Sequence, residues 1–494
     1  MTAKPGLKWE TDRPEFLGRF GLARFIRSAG VLSLSSVASF VRAVITAKLF
    51  AVTLGPSAVG ILAQLLNFAA FVSVIIPLGL TTGVAKMVAD NSRNEQNMNR
   101  VVLTSAVLAI GSACAAAILL APAAGPISYA LTGSTSYGFL IVLIVASFPL
   151  YNLSGVIGYV LQGIADVDRL TKANVATTVL AIVVLVPLTL AYGLAGAISA
   201  VLVTSFVQAG IFAWALRRAY AARAWRFVHA TLDRHTAKEL LAYGGIVLIG
   251  GIVSWSSVLV VRTLTLRELG ESANGLYQVV FGLSNQYVTM FMTWMAAYVF
   301  PRIVTERLGG KLGPLLNSGL RANLAIMVPI FVVAIALRDP LIRVFYSASF
   351  TGAAPMVPIQ VIGDLVRVFG WSFAVCLFAI GRTRSHLLVV AGQGIAWVIL
   401  AAALIPVWGM LAVPASYAMS FLVYPLLGIS LTHHWGGAAP DRKAWLLMSL
   451  GLTCVLGATF IPFDGGLLLA PAVPALVYWW NRSELRTART PLHE

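Results

Sequence analysis

The chain has 494 residues, 59% of them hydrophobic and 11% charged, where a soluble chain is about 45–50% apolar and about 25% charged. This excludes a soluble enzyme, because no water-soluble fold of this length hides so much apolar surface. The net charge of +17 would point to nucleic acid in a soluble protein, but most of these charges fall between apolar runs, so a membrane accounts for them first and no nucleic acid is implied.

In chain order, residues 1–29 lack the apolar core of a signal peptide. Phe16, Leu17, Phe20, Phe25 and Ile26 alternate there with Arg19, Arg24 and Arg27, which reads as a basic amphipathic leader on the inner leaflet or, more plainly, as a disordered one. About fourteen apolar runs follow, each long enough to cross a hydrocarbon core as a helix. Six of these, at 30–54, 61–83, 101–120, 139–162, 173–190 and 194–216, make an N-lobe over 30–216. The basic stretch 217–239 reads as a cytoplasmic linker. Another six, at 240–265, 275–300, 315–337, 355–380, 387–405 and 409–431, make a C-lobe over 240–431. Residues 432–494 add runs at 444–461 and 466–480, the second interrupted by Pro471 and Pro474, and a cytoplasmic tail. The period-two alternation of a membrane barrel is absent. The expected fold is therefore all-α and polytopic: two six-helix lobes, with two extra C-terminal helices beside the twelve of the core.

With the N-terminus taken as cytoplasmic, the loops on the opposite side carry only Arg262, Arg267, Arg338 and Arg343 as basic residues, which places both termini in the cytoplasm.

The halves repeat. Leu54-Gly55-Pro56-Ser57-Ala58-Val59-Gly60 follows the first run and Leu269-Gly270-Glu271-Ser272-Ala273-Asn274-Gly275 follows the seventh; Gly193-Leu194-Ala195 and Gly409-Met410-Leu411-Ala412 stand at nearly the same offset. Because each repeat has an even number of spans, the lobes share one orientation and are related by a pseudo-two-fold axis along the membrane normal, with a cleft between them.

A charge deep in a bilayer faces a wet cavity or a partner, since it otherwise costs about 2.5–3.5 kcal/mol. Arg42 lies in the middle of its run, and Arg367 and Asp364 lie mid-run three residues apart on one helical face. Lys48 and Arg262, further along their runs, correspond within one residue. Four deep cations against one acid favour an anion, and guanidinium forks suit phosphate oxygens. Read plainly, Arg367 pairs with Asp364, while Lys48 and Arg262 snorkel to the outer interface. Arg42 has no acid in its own run and is the sharpest of the four. Arg321 faces the cavity or snorkels inward. Gln64, Asn67, Gln278, Asn285 and Gln286, with Tyr277, Tyr287, Thr289, Trp294 and Tyr298, are candidates for sugar contacts, although such groups also hold helices together.

Cys114, Cys376 and Cys454 lie far apart inside apolar runs without metal-ligand spacing, so neither a disulfide framework nor a metal site is expected. Gly309-Gly310-Lys311-Leu312 lacks the spacing and the hydroxyl of a P-loop, and the histidines form no catalytic setting, so no cofactor and no enzymatic chemistry are expected.

The chain resembles the multidrug/oligosaccharidyl-lipid/polysaccharide exporter superfamily and, within it, the Wzx-type flippases of O-antigen and enterobacterial common antigen. The resemblance spans roughly 30–432 and is carried by Leu54-Gly55-Pro56 with Gly60, Gly83-Val84-Ala85-Lys86, Gly275-Leu276-Tyr277-Gln278, Phe300-Pro301, Leu337-Arg338-Asp339 with Ser349-Phe350-Thr351, and above all Gln360-Val361-Ile362-Gly363-Asp364-Leu365-Val366-Arg367. It implies a bacterial inner-membrane transporter that moves an undecaprenyl-pyrophosphate-linked oligosaccharide to the periplasmic leaflet by alternating access. Arg42, Lys48, Arg262 and Arg367 would hold the pyrophosphate, with Lys86, Arg302 and Arg321 as secondary candidates. Asp364 would couple transport to a proton or another cation, membrane lipid surrounds the protein, and a polysaccharide polymerase is an expected partner. A cation-coupled drug or metabolite exporter of the same superfamily is the alternative, and a membrane-embedded glycosyltransferase a more distant one.

Overall fold

A computed structural model describes residues 37–77, 79–92, 94–223, 225, 231–295, 302–303, 312–461 and 466–487. The expected leader, Tyr298 and Phe300-Pro301 lie outside the described residues. A helix over 37–53 (α1) leads into Gly55–Ile75 (α2), Leu80–Asn91 (α3), Glu95–Leu120 (α4), the short Ala124–Thr132 (α5), Gly138–Gly163 (α6) and Val167–Ala222 (α7). Arg234–Trp294 (α8) opens the second half. It is followed by Leu312–Ala336 (α9), the short Arg338–Phe345 (α10), Met356–Ala379 (α11), Thr383–Trp408 (α12), Ala412–Ser420 (α13) and Ser430–Gly436 (α14). Arg442–Phe460 (α15) and Ala472–Thr487 (α16) follow.

The fold is all-α and polytopic: among the described residues, nine helices are long and apolar enough to cross a membrane. α7 and α8, of 56 and 61 residues, outrun any bilayer and break at glycines with non-helical backbone, Gly193 (φ 56°, ψ −128°) and Gly270 (φ 88°, ψ 172°). Gly409 (φ 58°, ψ −133°) makes the same break between α12 and α13.

Acidic and amide side chains start four helices by accepting from the free N–H groups of the first turn: Asn94 for α4, Asp166 for α7, Asp233 for α8 and Asp441 for α15. The second helix begins at Gly55, six residues before the expected run, because Pro56 fits its first turn. α7 runs on through Arg217 and Arg218 to Ala222 and α8 starts at Arg234, so both ends of the basic stretch 217–239 are helical. The last helix starts at Ala472, just after Pro471.

The repeat is written into the backbone. Gly55 and Gly270, and Gly193 and Gly409, share positive φ at offsets of 215 and 216 residues. The turn after α6 recurs after α11: Ile164, Ala165 and Asp166 donate to the carbonyls of Val160, Gln162 and Leu161, while Ile380, Gly381 and Arg382 donate to those of Cys376, Phe378 and Leu377. Ala165 therefore takes a left-handed φ of 55° where its counterpart Gly381 has 83°.

Each half buries its first helices against the other. Ala51 and Val59 join a core otherwise built from α8–α16, and Leu266 of α8 joins the core of α2, α4, α5, α6 and α7. α15 packs on α9 and α11, and α16 on α9. Asp441 anchors this pair by accepting from Arg321 (2.7 Å) and donating its N–H to Asn317 Oδ1 (2.9 Å).

Candidate functional site

α11 turns Gln360, Asp364 and Arg367 to one face, as spacings of four and three residues require on a helix. Asp364 is fully buried. Its Oδ2 accepts from the hydroxyls of Ser284 (2.7 Å) and Tyr287 (2.6 Å), and its Oδ1 accepts from that of Tyr417 (2.7 Å). Arg367 does not pair with it directly, contrary to the plain reading of their spacing: its Nη1 donates to the Tyr417 hydroxyl (3.1 Å), which stands between the two, and the guanidinium lies 5.1 Å from the centre of the Phe421 ring.

The network continues. Gln360 donates to Ser284 Oγ (3.4 Å) and accepts from Tyr277 (3.4 Å), whose ring centre lies 5.3 Å from the Arg262 guanidinium. A buried polar chain thus runs from Arg262 through Tyr277, Gln360, Ser284, Asp364 and Tyr417 to Arg367. Ser284 and Tyr417 escape sequence reasoning altogether, because a serine and a tyrosine inside apolar runs carry no signal until the helices are packed.

Arg262 is 0% exposed and does not snorkel. It donates to Gln278 Oε1 and also faces the Phe281 ring, but its Nε and Nη1 have no hydrogen-bond partner, and among the described residues no carboxylate pairs with it. Burying a charge in this way is costly unless a counter-charge arrives. On the facing helix α2, Gln64 donates to Thr263 Oγ1 (2.6 Å), while Gln64 Oε1 and Asn67 Nδ2 are buried without partners. Unsatisfied donors and acceptors therefore collect along the seam between α2 and α8.

The other candidates are not gathered there. Arg42 is exposed on α1 and makes no hydrogen bond or ion pair among the described residues. Lys48 is exposed and donates to the Arg343 carbonyl (3.0 Å). Asn285 and Gln286 are exposed, as are Lys86 and Arg302. Arg321 is partly buried and pairs with Asp441 (2.7 Å).

Residues 49–355 match the polysaccharide biosynthesis protein family. The chain is 24% identical over 386 residues to the lipid III flippase of Escherichia coli (strain K12) and to that of Shigella flexneri, covering 76% of this chain and 90% of each relative. Its fold is similar to an inward-facing multidrug resistance transporter of the MATE family (TM-score 0.69, 16% identity, 84% of this chain and 96% of that one). It is equally similar to a lipid II flippase in an inward closed conformation (TM-score 0.68, 14% identity, 92% of this chain and 99% of that one). Residues 49–355 place the chain in the polysaccharide biosynthesis protein family, and its fold is the one seen in those two membrane transporters.

Proposed function

We propose that this protein is a flippase that carries an undecaprenyl-pyrophosphate-linked oligosaccharide from the cytoplasmic to the periplasmic leaflet of the bacterial inner membrane, both termini being cytoplasmic. Its helices would cross as twelve core spans in two lobes, 30–216 and 240–431, joined through 217–239, with two further spans in 432–494. The observation that carries the reading is Arg262: a fully buried guanidinium with two unsatisfied donors and, among the described residues, no acid paired with it, on the seam between the two halves of a chain of this family. An incoming diphosphate supplies the missing counter-charge through bidentate hydrogen bonds in a low dielectric. Arg42, exposed and without a partner among the described residues, would meet the headgroup first, with Lys48 and Arg367 as further anion contacts. Gln64, Asn67, Gln278, Asn285 and Gln286 would meet the sugars. Asp364 would exchange the driving proton, because its hydroxyl cage leads by hydrogen bonds through Ser284 and Gln360 to Tyr277, whose ring faces the Arg262 guanidinium.

The test is flipping of a purified lipid-linked oligosaccharide in liposomes by the wild type and by Arg42→Ala and Arg42→Glu. Both variants are expected to insert normally and to lose flipping, most completely with Glu, whose charge repels the diphosphate. Full activity in both removes Arg42 from the site. The similarity to multidrug transporters favours a second reading, a cation-coupled exporter, and resistance to cationic dyes conferred by the wild type would support that reading instead.

A further inference from the structure

The turn after α6 and the turn after α11 share a backbone and carry opposite charges. In the first, Asp166 accepts from Arg169 (2.5 Å) and Arg223 (2.8 Å), so the cations around it are neutralised. The equivalent residue of the second turn is Arg382, followed by Arg384. Both arginines are exposed, and among the described residues no carboxylate pairs with either.

Arg382 is nevertheless held in place. Its guanidinium lies 3.7 Å over the centre of the Trp435 ring, where the pairs Arg218–Trp214 and Arg223–Trp225 stand at 5.4 Å. α14, which carries Trp435, is fixed to α11: Thr432 donates to the Phe373 carbonyl (3.0 Å), and a Cβ on Gly436 would fall 3.6 Å from Ile380 Cδ1, an ordinary contact. His386 Nδ1 donates to the Ala374 carbonyl (3.0 Å) and ties the start of α12 to the same helix. The exposed His434 packs on the other member of the pair, its ring centre 4.7 Å from that of Trp435. A guanidinium resting on an aromatic face engages through its π surface and keeps its N–H donors free for oxygens in its own plane.

An apolar track leads away from these cations. Arg384, Leu388, Ile395 and Ile399 fall on one face of α12, as spacings of four, seven and four residues require, and all are exposed. Arg382 precedes α12 and Gly409 follows it, so the cluster sits at the end of the molecule opposite the glycine breaks, at a membrane surface. Arg367 lies twelve residues before the end of α11, about 18 Å along its axis, so the cluster is separate from the buried polar chain.

We propose that Arg382, Arg384 and Trp435 bind the phosphodiester headgroup of an anionic membrane phospholipid, whose acyl chains lie along Leu388, Ile395 and Ile399. Two cations without a counter-charge on one turn suit a phosphate, and a guanidinium backed by an indole is already aimed to hydrogen-bond it. Headgroup depth is where tryptophan ordinarily sits in a membrane protein, and the apolar track selects a lipid over a free anion. In the first half Asp166 already supplies the counter-charge, so the site is not duplicated. The proposal does not rest on the flippase reading.

The test uses the purified full chain in a neutral detergent, with phosphatidylglycerol and phosphatidylcholine of identical acyl chains as probes, read by native mass spectrometry and by melting temperature. Phosphatidylglycerol is expected to stay bound at higher occupancy than phosphatidylcholine and to raise the melting temperature, as a ligand of the folded state does. Arg382→Gln with Arg384→Gln is expected to weaken phosphatidylglycerol binding by about tenfold or more and to leave phosphatidylcholine unchanged. Arg217→Gln with Arg218→Gln removes the same charge from the same end of the molecule and is expected to retain binding. Trp435→Leu keeps both charges and is expected to weaken binding as well; it decides should the Arg382/Arg384 variant fail to fold. Phosphatidylglycerol binding retained in the deciding variant, or lost equally in the two arginine pairs, overturns the site. Displacement of the lipid by millimolar inorganic phosphate, with the same rise in melting temperature, makes the ligand a free anion and overturns the lipid.

Discussion

The two halves share a backbone and differ in chemistry. Under the repeat offset, Arg262 answers to Ala47, Tyr277 to Leu62, Ser284 to Ala69, Asp364 to Phe148 and Tyr417 to Val201. The second half therefore holds a polar chain where the first holds ordinary core, Leu62 and Phe148 both being buried. The turns that set helix directions are duplicated, while the buried chain of charged and hydroxyl groups lies in one copy. Shape in this molecule is symmetric, and the candidate machinery is not.

The sharpest way to break that comparison is Arg262→Met, which makes the second half as apolar there as the first. Flipping is expected to vanish while thermal stability holds or rises by about 1–4 kcal/mol, since an apolar side chain of similar volume removes an uncompensated charge. A lowered melting temperature would mean that Arg262 is structural. Next in size is Asp364→Asn, which offers one acceptor oxygen to three hydroxyls and is expected to reduce gradient-driven flipping by about tenfold or more, at about 1–3 kcal/mol of stability. Its counterpart change, Phe148→Leu, is expected to cost only stability, with flipping per folded molecule retained. Unchanged gradient dependence in Asp364→Asn would remove its coupling role.

A smaller effect is expected in the turn after α6. Asp166 accepts from both Arg169 (2.5 Å) and Arg223 (2.8 Å). Burial pushes its carboxyl up, but the hydrogen bonds from Arg223 and Arg169 outweigh burial and hold it below the usual carboxylate range. A depressed carboxylate stabilises the fold above its unfolded-state value and loses that contribution as pH falls through the lower folded-state one. The melting temperature of the wild type should thus exceed that of Asp166→Asn at neutral pH, and the gap should shrink below about pH 4. Smallest of all is the paired swap in the duplicated turns. Ala165→Gly is expected to gain about 0.4–1 kcal/mol by relieving a left-handed alanine, and Gly381→Ala to lose about as much, both read as melting shifts. Equal and opposite shifts would confirm that the turns are equivalent in solution.

Much of this was legible before any fold was seen. The helical runs follow from apolar length, and the glycine motifs at Gly55 and Gly270 and at Gly193 and Gly409 mark the breaks, because left-handed backbone calls for glycine. Other features were not legible. The spacing of Asp364 and Arg367 invites a direct ion pair, and only the packing of α13 against α11 puts the Tyr417 hydroxyl between them. Arg321 reads as a cavity cation or as a snorkelling one, and only the fold brings Asp441, far along the chain, within 2.7 Å of it. The second member of the left-handed pair after α6 is an alanine, which no glycine motif announces.

The sequence by itself determined the membrane solvent, the helical class, the duplication and the excess of deep positive charge, since each follows from local composition and spacing against a hydrocarbon core. The tertiary structure decided which cations are satisfied and which are left waiting. Lys48 and Arg321 found partners close to 300 and 120 residues away along the chain, while Arg262 was sealed at the seam between the halves with its Nε and Nη1 unmet. Charge complementarity depends on distances of a few ångströms between segments remote in sequence, and no periodicity along a single helix encodes it.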